Sequence, residues 1–188
     1  MKAVMIALVV VVLTVVMCGC EFVTKRNALV AEKEAIAGQW SQVDADLQRR
    51  ADLIPNLVET VKGYAKEETT VMEAVSNARS ALLNAKSPQD KIDANNQLTG
   101  ALGRLLVVVE NYPNLKANEN FRQLQFELEG TENRILQSRR RYNEAVQKYN
   151  TDLSLFPANI VASMSGFQRE DAYFKTDADA RTAPKVQF

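Results

Sequence analysis

The sequence predicts an all-α protein: an N-terminal membrane helix or lipoprotein signal followed by an antiparallel bundle of three to four long helices. Three observations predict it. Residues 3–20, AVMIALVVVVLTVVMCGC, carry no charge, whereas the remainder mixes charged and apolar residues. From Asn27 onward the apolar residues recur at steps of three, four or seven, the repeat of an amphipathic helix. Glycine and proline are few, 7 and 5 in 188 residues, which suits long helices. No segment alternates at period two between turn signals, so no sheet of consequence is expected.

The leader has two readings. As a transmembrane helix, residues 3–20 at roughly 1.5 Å each span about 27 Å, close to a hydrocarbon core, and Phe22 and Val23 extend it if Glu21 sits among headgroups. As a lipoprotein signal, Lys2 is the charged start, residues 3–17 the apolar region, and Gly19-Cys20 the end of a lipobox, with cleavage leaving a lipidated Cys20. Met17 and Cys18 depart from the usual lipobox, whereas the length fits one. Both readings stay open. They are preferred to a cleaved secretory signal, because no small-x-small site precedes Glu21. A buried core helix is the reading set aside. Positive-inside counting sets Lys2 against Lys25, Arg26 and Lys33, and by that count a spanning helix leaves the bulk of the chain in the cytoplasm. A lipidated Cys20 places the bulk of the chain outside, and a periplasmic or extracytoplasmic location is the expectation.

The first soluble stripe is Ile36, Trp40, Val43, Leu47, Ile54, Val58, Val61 and Ala65, one face of a long helix. Pro55 falls inside it. A proline removes one backbone donor and crowds the preceding turn, which predicts a kink or brief break near residues 51–55. Val71, Val75, Ala78 and Leu82 continue a stripe to Ala85. Lys86-Ser87-Pro88 reads as a turn, with Ser87 capping the next helix and Pro88 at its first position. That helix covers roughly 88–111 on Ile92, Leu98, Leu102, Leu105, Leu106 and Val109. Gly100 and Gly103 weaken it or admit a close neighbour. Tyr112-Pro113-Asn114 breaks it.

The last long segment carries Phe121, Leu128, Ile135, Tyr142, Tyr149 and Phe156, each seven residues from the next. A heptad seam of this kind favours shallow-angle packing against partner helices. Phe156-Pro157 is expected to end it. Trp40, Tyr142 and Tyr149 are read as core or interface rather than as a ligand groove.

Composition narrows the chemistry. Lys plus Arg equals Asp plus Glu at 23 each, so nothing marks a nucleic-acid partner. There is no histidine, and both cysteines, Cys18 and Cys20, lie in the leader. The soluble part therefore lacks the commonest general base and metal ligand, and has no thiol for a disulfide or a nucleophile. No nucleophile elbow, phosphate-binding glycine loop or zinc-helix motif occurs, and no cofactor is expected. Asp177-Ala178-Asp179 lacks the glycine and glutamate of a calcium loop and reads as an acidic tail.

Three blocks carry a family resemblance. The first is Arg49-Arg50-Ala51-Asp52-Leu53-Ile54-Pro55-Asn56-Leu57-Val58, continuing to Val61-Lys62-Gly63-Tyr64-Ala65. The second is Tyr112-Pro113-Asn114-Leu115-Lys116-Ala117, then Asn118, Phe121, Leu124, Leu128, Glu132 and Ile135. The third is Arg139-Arg140-Arg141-Tyr142-Asn143 through Tyr149-Asn150, Phe156-Pro157 and Gly166-Phe167, closing on Ala183-Pro184-Lys185-Val186-Gln187-Phe188. From Asn27 to Phe188 the chain resembles the LemA family. The resemblance implies a bacterial envelope protein with a mostly helical bundle behind an N-terminal membrane anchor. It implies no activity, because the family's molecular role is poorly defined.

Arg49, Arg50, Asp52 and Asn56 form the polar patch of the first block. Asp46 stands three and four residues before the two arginines, a spacing for helix-surface ion pairs. The patch is read as holding the kink together, with Asn56 capping freed groups, in preference to a docking surface. Arg139-Arg140-Arg141 point about 100° apart and form no single stripe, and Glu144 is placed to pair with Arg140 and Lys148.

The sequence thus divides into a membrane anchor at 1–23, a helical bundle at 24–157 and an irregular tail at 158–188. The function expected is a non-enzymatic, membrane-anchored scaffold or adaptor of the bacterial envelope, with unknown protein partners and self-association among them. The alternative is an envelope module that holds a lipid or small ligand between helices. An internal cavity with convergent polar groups discriminates the second from the first. Cys20 is the candidate lipidation site.

Overall fold

A computed structural model describes residues 2–174. Among these the regular structure is entirely helical: α1 (Lys2–Lys62), α2 (Thr69–Asn84), α3 (Pro88–Val109), α4 (Pro113–Ala117), α5 (Glu119–Asp152) and α6 (Ala158–Ser165). The all-α expectation is met. Asp177-Ala178-Asp179 and the closing Ala183–Phe188 block lie outside the described residues. The described chain forms two compact units, one of residues 2–39 and 144–171, the other of 40–143 and 172–174. α1 and α5 contribute to both.

In the larger unit, pairs of residues define the helix directions. Asp44 meets Lys91 and Arg50 meets Asn95, so α1 and α3 run the same way. Trp40 packs on Tyr142 and Arg50 reaches Glu132, so α5 runs opposite to α1. A turn of three residues reverses the chain from α2 into α3. Ser87 is extended, and its Oγ accepts from the Asp90 amide at 3.1 Å, the cap expected of Ser87-Pro88. The core is aliphatic with aromatic ends: Val43, Leu47, Ile54, Val61, Val75, Leu82, Leu98, Leu105, Phe121 and Ile135 are all buried.

Pro55 does not break α1, which is unbroken through Lys62. The reason lies on α2. Pro55 has no N–H for the carbonyl four residues back, which is Ala51. That oxygen accepts instead from Arg79 Nε at 2.7 Å. A side chain from the neighbouring helix replaces the lost backbone donor. Of the two readings of Gly100 and Gly103, the close neighbour is absent, since a Cβ at either would meet nothing within 4 Å. After α3 the chain breaks at 110–112, then Pro113 opens the single-turn α4.

The smaller unit buries Leu29 and Ile36 of α1, Val146 and Tyr149 of α5, and Ala158, Val161 and Ala162 of α6. Two expectations are corrected here. Residues 158–165, read as irregular tail, are helical: Ala158, Val161 and Ala162 supply a buried face. Gly166 stops the helix at φ +73°, a left-handed conformation suited to glycine, so that the Phe167 amide bonds the Ala162 carbonyl. Phe156 does not continue the heptad seam. α5 ends at Asp152, and Phe156 stands 79% exposed.

The segment after α6 is held by α5. In the smaller unit the Asn150 amide donates to the Glu170 carbonyl and accepts from its N–H, at 2.7 and 3.0 Å, and Tyr149 Oη donates to Gln168 O. In the larger unit Asn143 grips Phe174 in the same two-bond manner, at 2.8 and 3.1 Å. Asn143 and Asn150, each following a tyrosine, are thus backbone clasps. Each asparagine offers one donor and one acceptor, the pattern an extended peptide requires.

Candidate functional site

Arg50 is the charged residue around which a site can be built. It lies on α1 one turn before Pro55 and is only 5% exposed. Its Nη1 donates to Asn95 Oδ1 at 2.7 Å and Thr99 Oγ1 at 3.1 Å, and stands 3.1 Å from Glu132 Oε2. Residues on α1, α3 and α5 therefore converge on one cation. Burial pushes the Arg50 guanidinium below the usual arginine range; Glu132 opposes that, and Arg139 adds to it. An arginine stays charged regardless, so the group acts as a fixed positive centre and not as a proton carrier.

Beside it runs a half-open groove of about 310 Å³ between α1, α3 and α5. Leu57, Leu102, Leu106, Phe121 and Leu128 make its walls; Arg50, Thr99 and Glu132 close one end. The arrangement can accept an apolar group against a polar end. Among the described residues no cluster of three or more cysteine, aspartate or glutamate side chains is placed to hold a metal.

The four patch residues do not gather into one surface. Arg50 points inward, whereas Arg49, Asp52 and Asn56 are exposed. Asp52 accepts from Gln48 at 2.9 Å, and the Asn56 carbonyl accepts from Thr60 Oγ1 at 2.7 Å. Arg50 does find a carboxylate, but on α5 instead of the nearby Asp46. Cys18 and Cys20 are exposed free thiols on α1. No sequence signal marks Asn95, Thr99 or Arg79. Glu132 lies in the second family block, and nothing in its spacing pairs it with Arg50.

Trp40, Tyr142 and Phe174 form a second polar-edged cluster, with ring centroids 5.2 to 6.2 Å apart and the Arg139 guanidinium 4.6 Å above the Phe174 ring. Tyr142 is buried and Trp40 half-buried, as core residues. Lys148 takes Glu32 and Asp152 as its partners instead of Glu144.

A family model described as the LemA family matches residues 39–188. Magnetosome protein MamQ 2 of Paramagnetospirillum magneticum is 27% identical over 194 aligned residues, covering 89% of this chain and 71% of that protein. MamQ of Magnetospirillum gryphiswaldense is 23% identical, covering 82% and 66%. Protein LemA of Metamycoplasma hominis is 25% identical, covering 75% and 65%.

Proposed function

The chain belongs to the LemA family, and on that premise we propose that it is a membrane-anchored helical scaffold of the bacterial envelope. The observation that carries this reading is the exposure of the leader. Val4, Met5, Ile6, Leu8 and the apolar residues on to Met17 are each more than half exposed, and none of the apolar stretch is buried within its own chain. About a dozen such side chains at roughly 1.5 kcal/mol each represent on the order of 20 kcal/mol of uncovered apolar surface. A bilayer matches that stretch in length and composition. Beyond the leader, the buried cation is committed to its own helices.

Tethering restricts the helical part to a surface and raises the local concentration of weakly binding faces. Arg49, Asp52 and Asn56, exposed on α1, are one face open to a protein partner or a second copy. We place the bulk of the chain on the extracytoplasmic side. A second reading, a module for a lipid or small envelope ligand, is favoured by the groove beside Arg50.

Native mass spectrometry of the protein extracted from its own membranes tests both. Protein partners or multiples of the chain support the scaffold. A stoichiometric small molecule, released by filling the groove with Gly103→Phe, overturns it in favour of the second reading. The intact mass also settles attachment: a diacyl or triacyl chain beginning at Cys20, or an unmodified chain beginning at Met1.

A further inference from the structure

A second groove, entirely within the smaller unit, lies between the end of the leader and α6. It holds about 520 Å³ and is walled by Met17, Cys18 and Phe22 on one side and by Phe156, Ile160 and Val161 on the other. We propose that α6 is an interfacial membrane helix, and that this groove receives phospholipid acyl chains at the foot of the anchor. The proposal rests on the anchor reading above and adds a second contact to it.

Continuity identifies the occupant. Met17 and Cys18 belong to the apolar stretch and to the groove alike, so the groove opens at the depth where the stretch meets the headgroups. α6 is apolar on two faces. Ala158, Val161 and Ala162 pack inward, while Ile160 and Met164, one turn apart, are 51% and 73% exposed, next to the exposed Phe156. Two apolar faces need cover on both, and among the described residues only the inner one is covered. Charge agrees. Lys25 lines the groove's far end, four residues beyond Glu21. At 1.5 Å per residue that is about 6 Å, within the depth of a headgroup layer, where an ammonium meets lipid phosphate.

The full-length chain is placed in vesicles of equal parts phosphatidylcholine and phosphatidylglycerol, with a trace of phospholipid carrying a diazirine at the middle of its acyl chain. After illumination, adducts are mapped by mass spectrometry. Adducts are expected on residues 4–17 and also on 155–164, with at least about tenfold fewer at Val107 and Phe126, which are as exposed and as apolar. Adducts on the leader without any on 155–164 overturn the proposal and leave the anchor standing. Equal labelling at Val107 and Phe126 overturns it as unselective. No adduct on either segment overturns the anchor reading and this proposal together. If the mature chain begins at a lipidated Cys20, Phe22 and Lys25 still wall the groove: labelling of 155–164 supports the proposal, and its absence overturns it.

Discussion

At the scale of single residues, the polar side chains that matter are the ones that answer buried needs. Arg50 sits between three helices because Asn95, Thr99 and Glu132 together replace the water it loses. Arg50→Met leaves those acceptors facing an apolar group. With the Glu132 side chain 34% exposed, solvent recovers part of the cost. The expected loss is about 2–3 kcal/mol, read as a lower urea midpoint at constant slope. An unchanged midpoint would show that the cluster is dispensable. Lys148 makes a pH prediction. Its ion contacts with Glu32 and Asp152 raise its pKa above the ordinary 10.5, with burial opposing. The stability it contributes is complete below 10.5 and is lost as pH rises through the folded value. At the acid end the carboxylates oppose each other. Burial raises Glu32, whose contribution fades as pH rises, and hydrogen bonding to Glu32 lowers Asp152, whose contribution fades as pH falls. Lys148→Met is therefore expected to lose less stability than the parent between neutral pH and the far side of the lysine range, in paired melts across that window.

At the scale of helices, Pro55 and Arg79 form a unit. Arg79→Ala removes the side-chain donor to the Ala51 carbonyl and is expected to cost about 1–2 kcal/mol. In a Pro55→Ala background the restored amide takes over, and the same substitution should cost less than half as much. A double-mutant cycle of urea unfolding reads this directly, and additive losses would refute the exchange. α3 offers the converse case. Gly100 is exposed within the helix, and a Cβ there meets nothing within 4 Å. Gly100→Ala is expected to stabilise by about 0.5–1 kcal/mol through backbone entropy alone, measured as a raised melting temperature.

At the scale of the whole chain, the leader and the rest obey different solvents. The leader's apolar side chains contribute no core. Deleting residues 2–20 is therefore expected to move the protein from the membrane to the soluble fraction. Helicity per remaining residue and the urea midpoint should persist. Fractionation with circular dichroism checks both, and a truncated chain that unfolds would give the leader a structural role.

The all-α class, the family, the Ser87-Pro88 cap and most buried positions were legible in sequence because each depends on local spacing. Ile36, Val43, Ile54, Val75, Leu98, Ile135 and Tyr142 share a helical period, and period alone assigns them inward. The misread features depend on partners remote in the chain. Pro55 reads as a breaker until Arg79, more than twenty positions later, supplies a donor. Asn143 and Asn150 are given no role by their spacing and acquire one only where the segment after α6 lies against them. Phe156 keeps the seven-residue beat, yet α5 has already ended. Sequence therefore determined which helices form and which faces they bury, because helix periodicity is written in neighbours a few residues apart. Only tertiary structure decided which polar groups answer one another and where the grooves open, because hydrogen bonds and packing join residues that chain order keeps apart.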